Sequence, residues 1–385
     1  MKKIVIKLDN GRRNYDILIE RNLLGKIGEL VKSRKLGSDI FIITDSKVAS
    51  IYLDKVIKNF KHSGFVSVSS GIIPEGEENK SWKNYEILLR KLHEFDKNLN
   101  KNIVVVCLGG GVVGDIGGFV AGTYKRGVNF VQVPTTLLGQ VDCGIGGKVG
   151  VNLDQAKNIV GMFYQPRLVV VDPITLKTLD KRELRSGLAE VIKYGIIKDP
   201  SLLDLLERHT KDILSLSDMN LVEKIIQISL TIKSKIVEQD ERDEKDIRIV
   251  LNLGHTIGHA IEAASKYKVY KHGEALSIGI MAAFGLSNRL NILKDQNLPK
   301  RIENLLEIIG LPLKKNGACK DDAIMESMKY DKKFQNGKNR FVLPVRAGKT
   351  KVEMGIENKV IKDILEREIA TGKSSKKSLG LCHRV

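Results

Sequence analysis

The segment Asn102-Ile103-Val104-Val105-Val106-Cys107-Leu108-Gly109-Gly110-Gly111-Val112-Val113-Gly114-Asp115 decides the fold class. From Ile103 to Leu108 every side chain is apolar, the pattern of a parallel strand buried on both faces. A glycine turn follows at once, and a helix begins there. Glycines permit positive φ and let backbone N–H groups approach a phosphate closely. The helix N-terminus adds partial positive charge, so a pyrophosphate is the natural ligand. Strand, glycine turn and helix are the alternation of an α/β domain with a parallel sheet. The spacing is not a G-x-G-x-x-G after a first strand, and a turn that only packs helix on strand explains the glycines about as well.

The flanking segments extend the pattern. Lys3–Leu8 and Tyr15–Glu20 read as two strands turned through Asn10-Gly11. Leu23–Lys32 has the period of a short amphipathic helix. Asp39–Thr44 is a second buried strand, and Asp45 or Ser46 can cap a helix over Lys47–Lys61. Phe65–Ile72 is a strand, Pro74–Lys80 a polar loop and Ser81–Phe95 a helix. Asn129–Val133 is another buried strand ending at Pro134-Thr135-Thr136, hydroxyls at a strand's carboxyl edge, where α/β ligands bind. Val141–Asn152 reads as a glycine-rich turn whose Lys148 suits an anion, with Lys157 and Asn158 just beyond. Leu168–Val171 is a last short strand.

From about Thr175 a period of 3.6 takes over: Leu184–Lys198, Ser201–His209, Leu221–Asp240, His255–Lys266, Gly273–Arg289, Pro299–Ile309 and Asp321–Lys329 are predicted helices. One strand pair interrupts them, Arg340–Val345 and Lys349–Met354. Three of the seven histidines lie in Leu251–Glu274. His255 and His259 are one helical turn apart and point to one side. His272 follows a short polar break that can fold it back. Glu190 and Lys193 share a face of an earlier helix. Imidazoles plus a carboxylate suit zinc or a similar dication, although each histidine alone could as well satisfy a local hydrogen bond. The pattern is not His-Glu-x-x-His, because Thr256 stands where that motif has its glutamate.

Composition bounds the alternatives. A chain of 385 residues exceeds one ordinary core, so two domains are expected. No apolar run approaches the length that crosses a membrane, and Met1–Ile6 reads as a first strand, not a signal peptide. Cys107, Cys143, Cys319 and Cys382 are scattered, which suits a reducing cytoplasm and argues against a disulfide framework and a cysteine zinc site. The net charge of +18 could mark a nucleic-acid binder or an anionic substrate. Aromatic content is only 5%, with no basic-aromatic interleaving to stack on bases, which favours the second.

Six motifs occur in order: Gly109–Asp115, Tyr124–Val128 (Tyr-Lys-Arg-Gly-Val), Gln132–Leu138 (Gln-Val-Pro-Thr-Thr-Leu-Leu), Gly146–Asn152 (Gly-Gly-Lys-Val-Gly-Val-Asn), Ala189–Gly195 (Ala-Glu-Val-Ile-Lys-Tyr-Gly) and Leu251–Ala260 (Leu-Asn-Leu-Gly-His-Thr-Ile-Gly-His-Ala). Together they closely resemble the 3-dehydroquinate synthase family of the shikimate pathway, from roughly residue 3 to 357. The resemblance implies a Rossmann-like NAD-binding α/β domain over residues 1–174 and an all-α metal- and substrate-binding domain over 175–359. A C-terminal extension over 360–385 would be partly disordered. It implies a cytoplasmic lyase of aromatic amino acid biosynthesis, a homodimer, with neither nucleic acid nor membrane as partner. Such an enzyme converts 3-deoxy-D-arabino-heptulosonate 7-phosphate to 3-dehydroquinate and phosphate. NAD+ oxidises a ring hydroxyl transiently, phosphate leaves by β-elimination, the hydride returns, the ring opens, and an intramolecular aldol closes the carbocycle.

The site residues follow from the same resemblance. Glu190, His255 and His272 would hold zinc or cobalt. His259 would instead lie near the phosphate and serve proton transfer. Lys193, Asp142 and Asn252 would act with it on the substrate. Lys233 and Arg248 suit a carboxylate. Lys148, Lys157, Asn158 and one of Lys332 or Lys333 suit the phosphate, with Arg126 reaching in from the partner subunit. NAD would rest on Asp45, Glu77, Lys80, Gly111, Val112, Val113, Gly114, Asp115, Thr135 and Thr136, with Lys148, Lys157, Thr175 and Thr178 nearby. Cys143-Gly144 stand where the family usually has Ser-Ser, and Ala156 replaces a common glycine. The rivals are a related sugar-phosphate cyclase acting on substrates without a carboxylate, a metal-dependent glycerol-type dehydrogenase, and a basic nucleic-acid binder.

Overall fold

In a computed structural model, which describes residues 1–11, 13–154, 156–317, 319–329, 339–367 and 369, the apolar runs of the first half line up in one sheet. Its strands are β1 (Lys2–Ile6), β2 (Tyr15–Ile19), β3 (Asp39–Asp45), β4 (Ser67–Ile73), β5 (Ile103–Gly109), β6 (Asn129–Pro134) and, after a separate hairpin of β7 (Lys148–Leu153) and β8 (Ala156–Phe163), β9 (Leu168–Val171). The order is β1-β2-β9-β6-β5-β3-β4. Only β1 and β2 pair antiparallel; the rest are parallel. The helices among them are α1 (Ile27–Ser33), α2 (Ser46–Val48), α3 (Asp54–His62), α4 (Trp82–Asp96) and α5 (Gly111–Thr123).

Side chains alternate across a strand. Along β3, Ile40 and Ile42 enter one core, and Phe41 and Ile43 the other. Along β5, Val104, Val106 and Leu108 part from Ile103, Val105 and Cys107 in the same way. Both faces are covered, which is why these strands read as unbroken apolar runs. Each such side chain contributes about 1.5–3 kcal/mol by burial. From β3 the chain goes out to β4, then returns to β5 on the other side of β3. The order reverses there, so Asp45 and Gly109, at the carboxyl ends of β3 and β5, flank the crevice where open parallel sheets bind ligands.

The second half contains α6 (Lys181–Ile197), α7 (Ser201–Ser215), α8 (Met219–Gln239), α9 (His255–Ala264), α10 (His272–Arg289), α11 (Leu298–Ile309), α12 (Asp321–Lys329), the hairpin β10 (Arg340–Arg346) with β11 (Lys349–Met354), and α13 (Asn358–Arg367). Its core is continuous with Ile6, Ile17 and Ile19 of the first hairpin and with Val169 and Val171 of β9. Charged contacts reinforce the join: Arg21 meets Glu223 of α8 at 2.8 Å, and Arg13 meets Glu241 at 2.9 Å.

Several expectations need correction. Val141–Asn152 is not one glycine-rich turn. A π-helical turn, Gly139–Cys143, leads into β7, which pairs antiparallel with β8. Gly150 and Gly161 face each other there; a Cβ on Gly161 would stand 2.2 Å from the Val149 carbonyl oxygen. Backbones that close exclude side chains, and the glycines hide the strand signal. The helix expected over Lys47–Lys61 is present from Ser46 to His62, with one π-helical turn inside it at Ala49–Leu53. The helix beginning at Ser201 continues past His209, through a kink, to Ser215. The C-terminal extension begins inside α13, whose Ile361, Ile364 and Leu365 are buried.

Candidate active site

Two close helix approaches bring the metal-binding candidates together. A Cβ on Gly273 would stand 2.1 Å from the Ser186 carbonyl oxygen, so the start of α10 lies directly on α6. The Gly273 N–H donates to Ser186 Oγ at 2.8 Å. Glu190 is one turn beyond Ser186, and His272 adjoins Gly273. On the other side, a Cβ on Gly279 would stand 2.0 Å from the Gly254 carbonyl oxygen, which seats α10 against the start of α9, where His255 lies.

Glu190 Oε1 consequently sits 3.3 Å from His255 Nε2 and 3.2 Å from His272 Nε2. Glu190 is fully buried, and its other oxygen pairs with the buried Lys193 ammonium one turn along α6. His255 Nδ1 faces the Leu253 carbonyl at 3.2 Å. A carbonyl only accepts, so a cation on Nε2 would leave the ring's one proton on Nδ1, donated to Leu253. Burial pushes this imidazole down to about 4, against the pull of Glu190. Burial also acts to lower His272, but the Glu262 and Glu190 carboxylates overcome it and hold that ring at about 9. Burial would raise Glu190, yet Lys193 and the two histidines keep it well below the usual carboxylate range. One carboxylate oxygen and two imidazole nitrogens within 4.8 Å of one another fit a zinc- or cobalt-type cation with positions left for substrate.

Glu262 was not singled out in the sequence. It lies on α9, two turns after His255 and one after His259, on the same face. Its Oε2 is 3.2 Å from His272 Nδ1, the arrangement that orients a metal-ligating imidazole. The i, i+4, i+7 spacing of His255, His259 and Glu262 was the available signal. His259 stands edge-on to the His255 ring, with centroids 5.1 Å apart.

Asp142, in the π-helical turn, accepts from the Tyr194 hydroxyl and lies 2.8 Å from Lys233 Nζ, both at Oδ1. Burial raises its carboxyl, but Lys233 prevails and brings it down to about 2. Its other oxygen, Oδ2, faces the Cys143 thiol at 3.9 Å. Tyr194 is the other residue the sequence reading left without a role. Arg248 is buried, donates Nη1 to the Gly146 and Glu241 carbonyls, and keeps a buried Nε with no hydrogen bond among the described residues. Arg248 and Lys148 both lie against the Phe163 ring, at 5.9 and 6.0 Å. Asn252 ends the short 3-10 helix that begins at Arg248.

The nucleotide-side candidates gather at the sheet's carboxyl edge. Gly110 caps α5, and the first-turn N–H groups of Gly111, Val112 and Val113 have no intrahelical acceptor. Asp115 pairs with the buried Lys80 at 2.8 Å, and Lys80 also lies 3.7 Å from Glu77. Asp45 caps α2 by accepting from the Val48 N–H at 2.9 Å. Thr135 and Thr136 follow β6. Thr175 is buried, its hydroxyl donating to the Asp172 carbonyl and accepting from Gln140, while Thr178 bonds Tyr52. Lys157 and Asn158 stand on β8, Lys157 between Glu77 at 3.5 Å and Glu262 at 3.2 Å. Arg126 is not brought to this group. It is exposed beyond the far end of α5, about 20 Å along the helix from the glycine turn. Lys332 and Lys333 lie outside the described residues.

Comparison with known proteins matches residues 70–186 to the 3-dehydroquinate synthase N-terminal family and residues 187–334 to the 3-dehydroquinate synthase C-terminal family. A 3-dehydroquinate synthase of Thermoanaerobacter sp. (strain X514) is 45% identical over 357 residues, 93% of this chain and 98% of the relative. Among solved structures, a 2-epi-5-epi-valiolone synthase from Streptomyces hygroscopicus subsp. jinggangensis 5008, with NAD+ and Zn2+ bound, superposes with a TM-score of 0.82 at 26% identity, covering 91% of this chain and 95% of the other. A 2-deoxy-scyllo-inosose synthase complexed with carbaglucose-6-phosphate, NAD+ and Co2+ gives 0.83 at 25% identity, covering 94% and 99%.

Proposed function

The chain belongs to the 3-dehydroquinate synthase family, and from that premise we propose that it converts 3-deoxy-D-arabino-heptulosonate 7-phosphate to 3-dehydroquinate and phosphate in the shikimate pathway. The observation that most supports this reading is the convergence of Glu190, His255 and His272, from three separate helices, beside the Asp142–Lys233 pair. When bound, NAD+ supplies a reversible hydride acceptor and a divalent cation supplies polarisation of the hydroxyl being oxidised.

The chain's own residues do the rest. Glu190, His255 and His272 hold the cation. The Lys193 ammonium, anchored by Glu190, adds positive charge where an oxyanion develops. Asp142, fixed by Tyr194 and Lys233, turns Oδ2 to the substrate hydroxyls. His259 is placed to move a proton near the phosphate. Arg248 and Lys233 take the carboxylate, and the presence of Lys233, Arg248 and Asn252 together supports a carboxylated substrate over those of the related cyclases. Lys148, Lys157, Asn158 and Asn252 orient the phosphate and ring. Glu77, Lys80, the Gly111–Asp115 turn, Asp45, Thr135 and Thr136 receive the dinucleotide, with Thr175 and Thr178 behind them.

Residues 1–174 would form the dinucleotide domain and 175–359 the metal and substrate domain. A homodimer, with Arg126 crossing to the partner's site, accounts for an arginine that one chain leaves at the far end of α5. No described helix is long and apolar enough to cross a membrane, and we place the enzyme in the cytoplasm, where Cys107, Cys143 and Cys319 stay free thiols.

Mass-spectrometric analysis of the reaction with the heptulosonate phosphate, catalytic NAD+ and zinc tests this reading. One phosphate should be released per dehydroquinate formed, without accumulation of NADH. NADH rising in step with substrate loss would make the chain a dehydrogenase.

A further inference from the structure

A ladder of buried and half-buried charges runs from the cation ligands to the dinucleotide side. Glu190 Oε1 faces His272 Nε2 at 3.2 Å, and His272 Nδ1 faces Glu262 Oε2 at 3.2 Å. Glu262 Oε1 takes Lys157 Nζ at 3.2 Å, and Lys157 also lies 3.5 Å from Glu77 Oε1. Glu77 accepts from Asn152 Nδ2 at 3.1 Å and neighbours Lys80, which holds Asp115 in the second turn of α5. The Lys157 ammonium further rests over the Tyr267 ring at 5.4 Å.

Glu262 is the joint of this ladder. It is only 4% exposed, so its two charge-assisted bonds are little screened. One oxygen serves the imidazole of a cation ligand; the other serves a lysine on β8 that reaches the loop after β4. Neither bond is a local helix pair: His272 and Lys157 are 10 and 105 residues away in the chain. A cation on His272 Nε2 fixes that ring, and the fixed Nδ1–H fixes Glu262. Lys157 and Glu77 are then held where the dinucleotide lies. The same constraint runs in reverse.

We propose that Glu262 is a positioning residue that couples the two cofactor sites, so that the cation and NAD+ each tighten the binding of the other. The proposal rests on the reading of Glu190, His255 and His272 as cation ligands and of the strand-end crevice as the dinucleotide site. A coupling free energy is reciprocal, so either ligand can report it.

The test is calorimetric titration of NAD+ into the metal-stripped and the zinc-loaded protein, without substrate. Zinc should tighten NAD+ binding about 5- to 150-fold. In Glu262→Gln that factor should fall to about one, and zinc affinity itself should drop about 10- to 100-fold because His272 loses its acceptor. In Lys157→Met the factor should also collapse, but the zinc affinity of the NAD+-free protein should stay at the wild-type value, since the Glu262–His272 contact remains. Lys157→Met decides alone if Glu262→Gln does not fold. Equal NAD+ affinity with and without zinc in the wild type, or a wild-type factor in either variant, overturns the proposal. A chain that binds neither zinc nor NAD+ would overturn the cofactor reading as well, a result distinct from binding both independently.

Discussion

Lys193 and Glu190 lie one helical turn apart on α6, both buried, and each compensates the other's charge. Their separation in function can be measured. Lys193→Ala should lower kcat about 10²- to 10³-fold, the cost of removing one preorganised positive group, while metal analysis still finds zinc, because the cation takes over neutralisation of Glu190. Loss of zinc would make Lys193 structural. Arg248→Ala should cost about 2–5 kcal/mol of substrate affinity, the usual loss for one partner of a buried charge pair. NAD+ affinity, read by titration, should hardly change; equal loss of both would refute the carboxylate assignment. Tyr194→Phe keeps the buried ring and removes one donor to Asp142. It should reduce kcat by about tenfold, in line with about 1.5 kcal/mol for a hydrogen bond to a charged group. A variant with wild-type kcat would show that Lys233 alone positions Asp142.

At the scale of elements, the decisive contact is α10 on α6. Gly273→Ala would drive a methyl into the Ser186 carbonyl. The expected cost is about 1–3 kcal/mol of stability from overpacking, accompanied by weaker zinc binding as His272 leaves Glu190. Thermal melts with and without zinc separate the two effects, and unaltered zinc affinity would mean that the helix approach does not set the site. This scale also shows what was legible in the sequence. β3 and β5 were plain because burial on both faces leaves an unbroken apolar run. β7 and β8 were not, since β8 is largely exposed and its pairing runs through Gly150 and Gly161, which carry no side-chain period. The meeting of His272 with Glu190, 82 residues earlier, cannot be read from either helix alone. The motifs brought those residues together only as a family expectation; the glycine contacts supply the physical cause. Glu262 was hidden because a glutamate on a helix ordinarily reads as a solvated charge.

For the whole molecule, the helical half shares one hydrophobic core with β1, β2 and β9, and the ladder through Lys157 and Glu262 ties it to the strand-end crevice. A cation and a hydride acceptor can therefore serve one sugar carbon only if both halves hold their ligands at once. Chelation should abolish turnover, with zinc or cobalt restoring it; full activity of metal-free protein would remove the cation from the account. The central claim is tested most directly by anomalous diffraction at the zinc edge from crystals grown with zinc and NAD+. The expected result is one strong peak about 2.0–2.2 Å from a Glu190 oxygen, His255 Nε2 and His272 Nε2, with the nicotinamide beside it. A peak elsewhere, or a nicotinamide that lies away from these three residues, would contradict it.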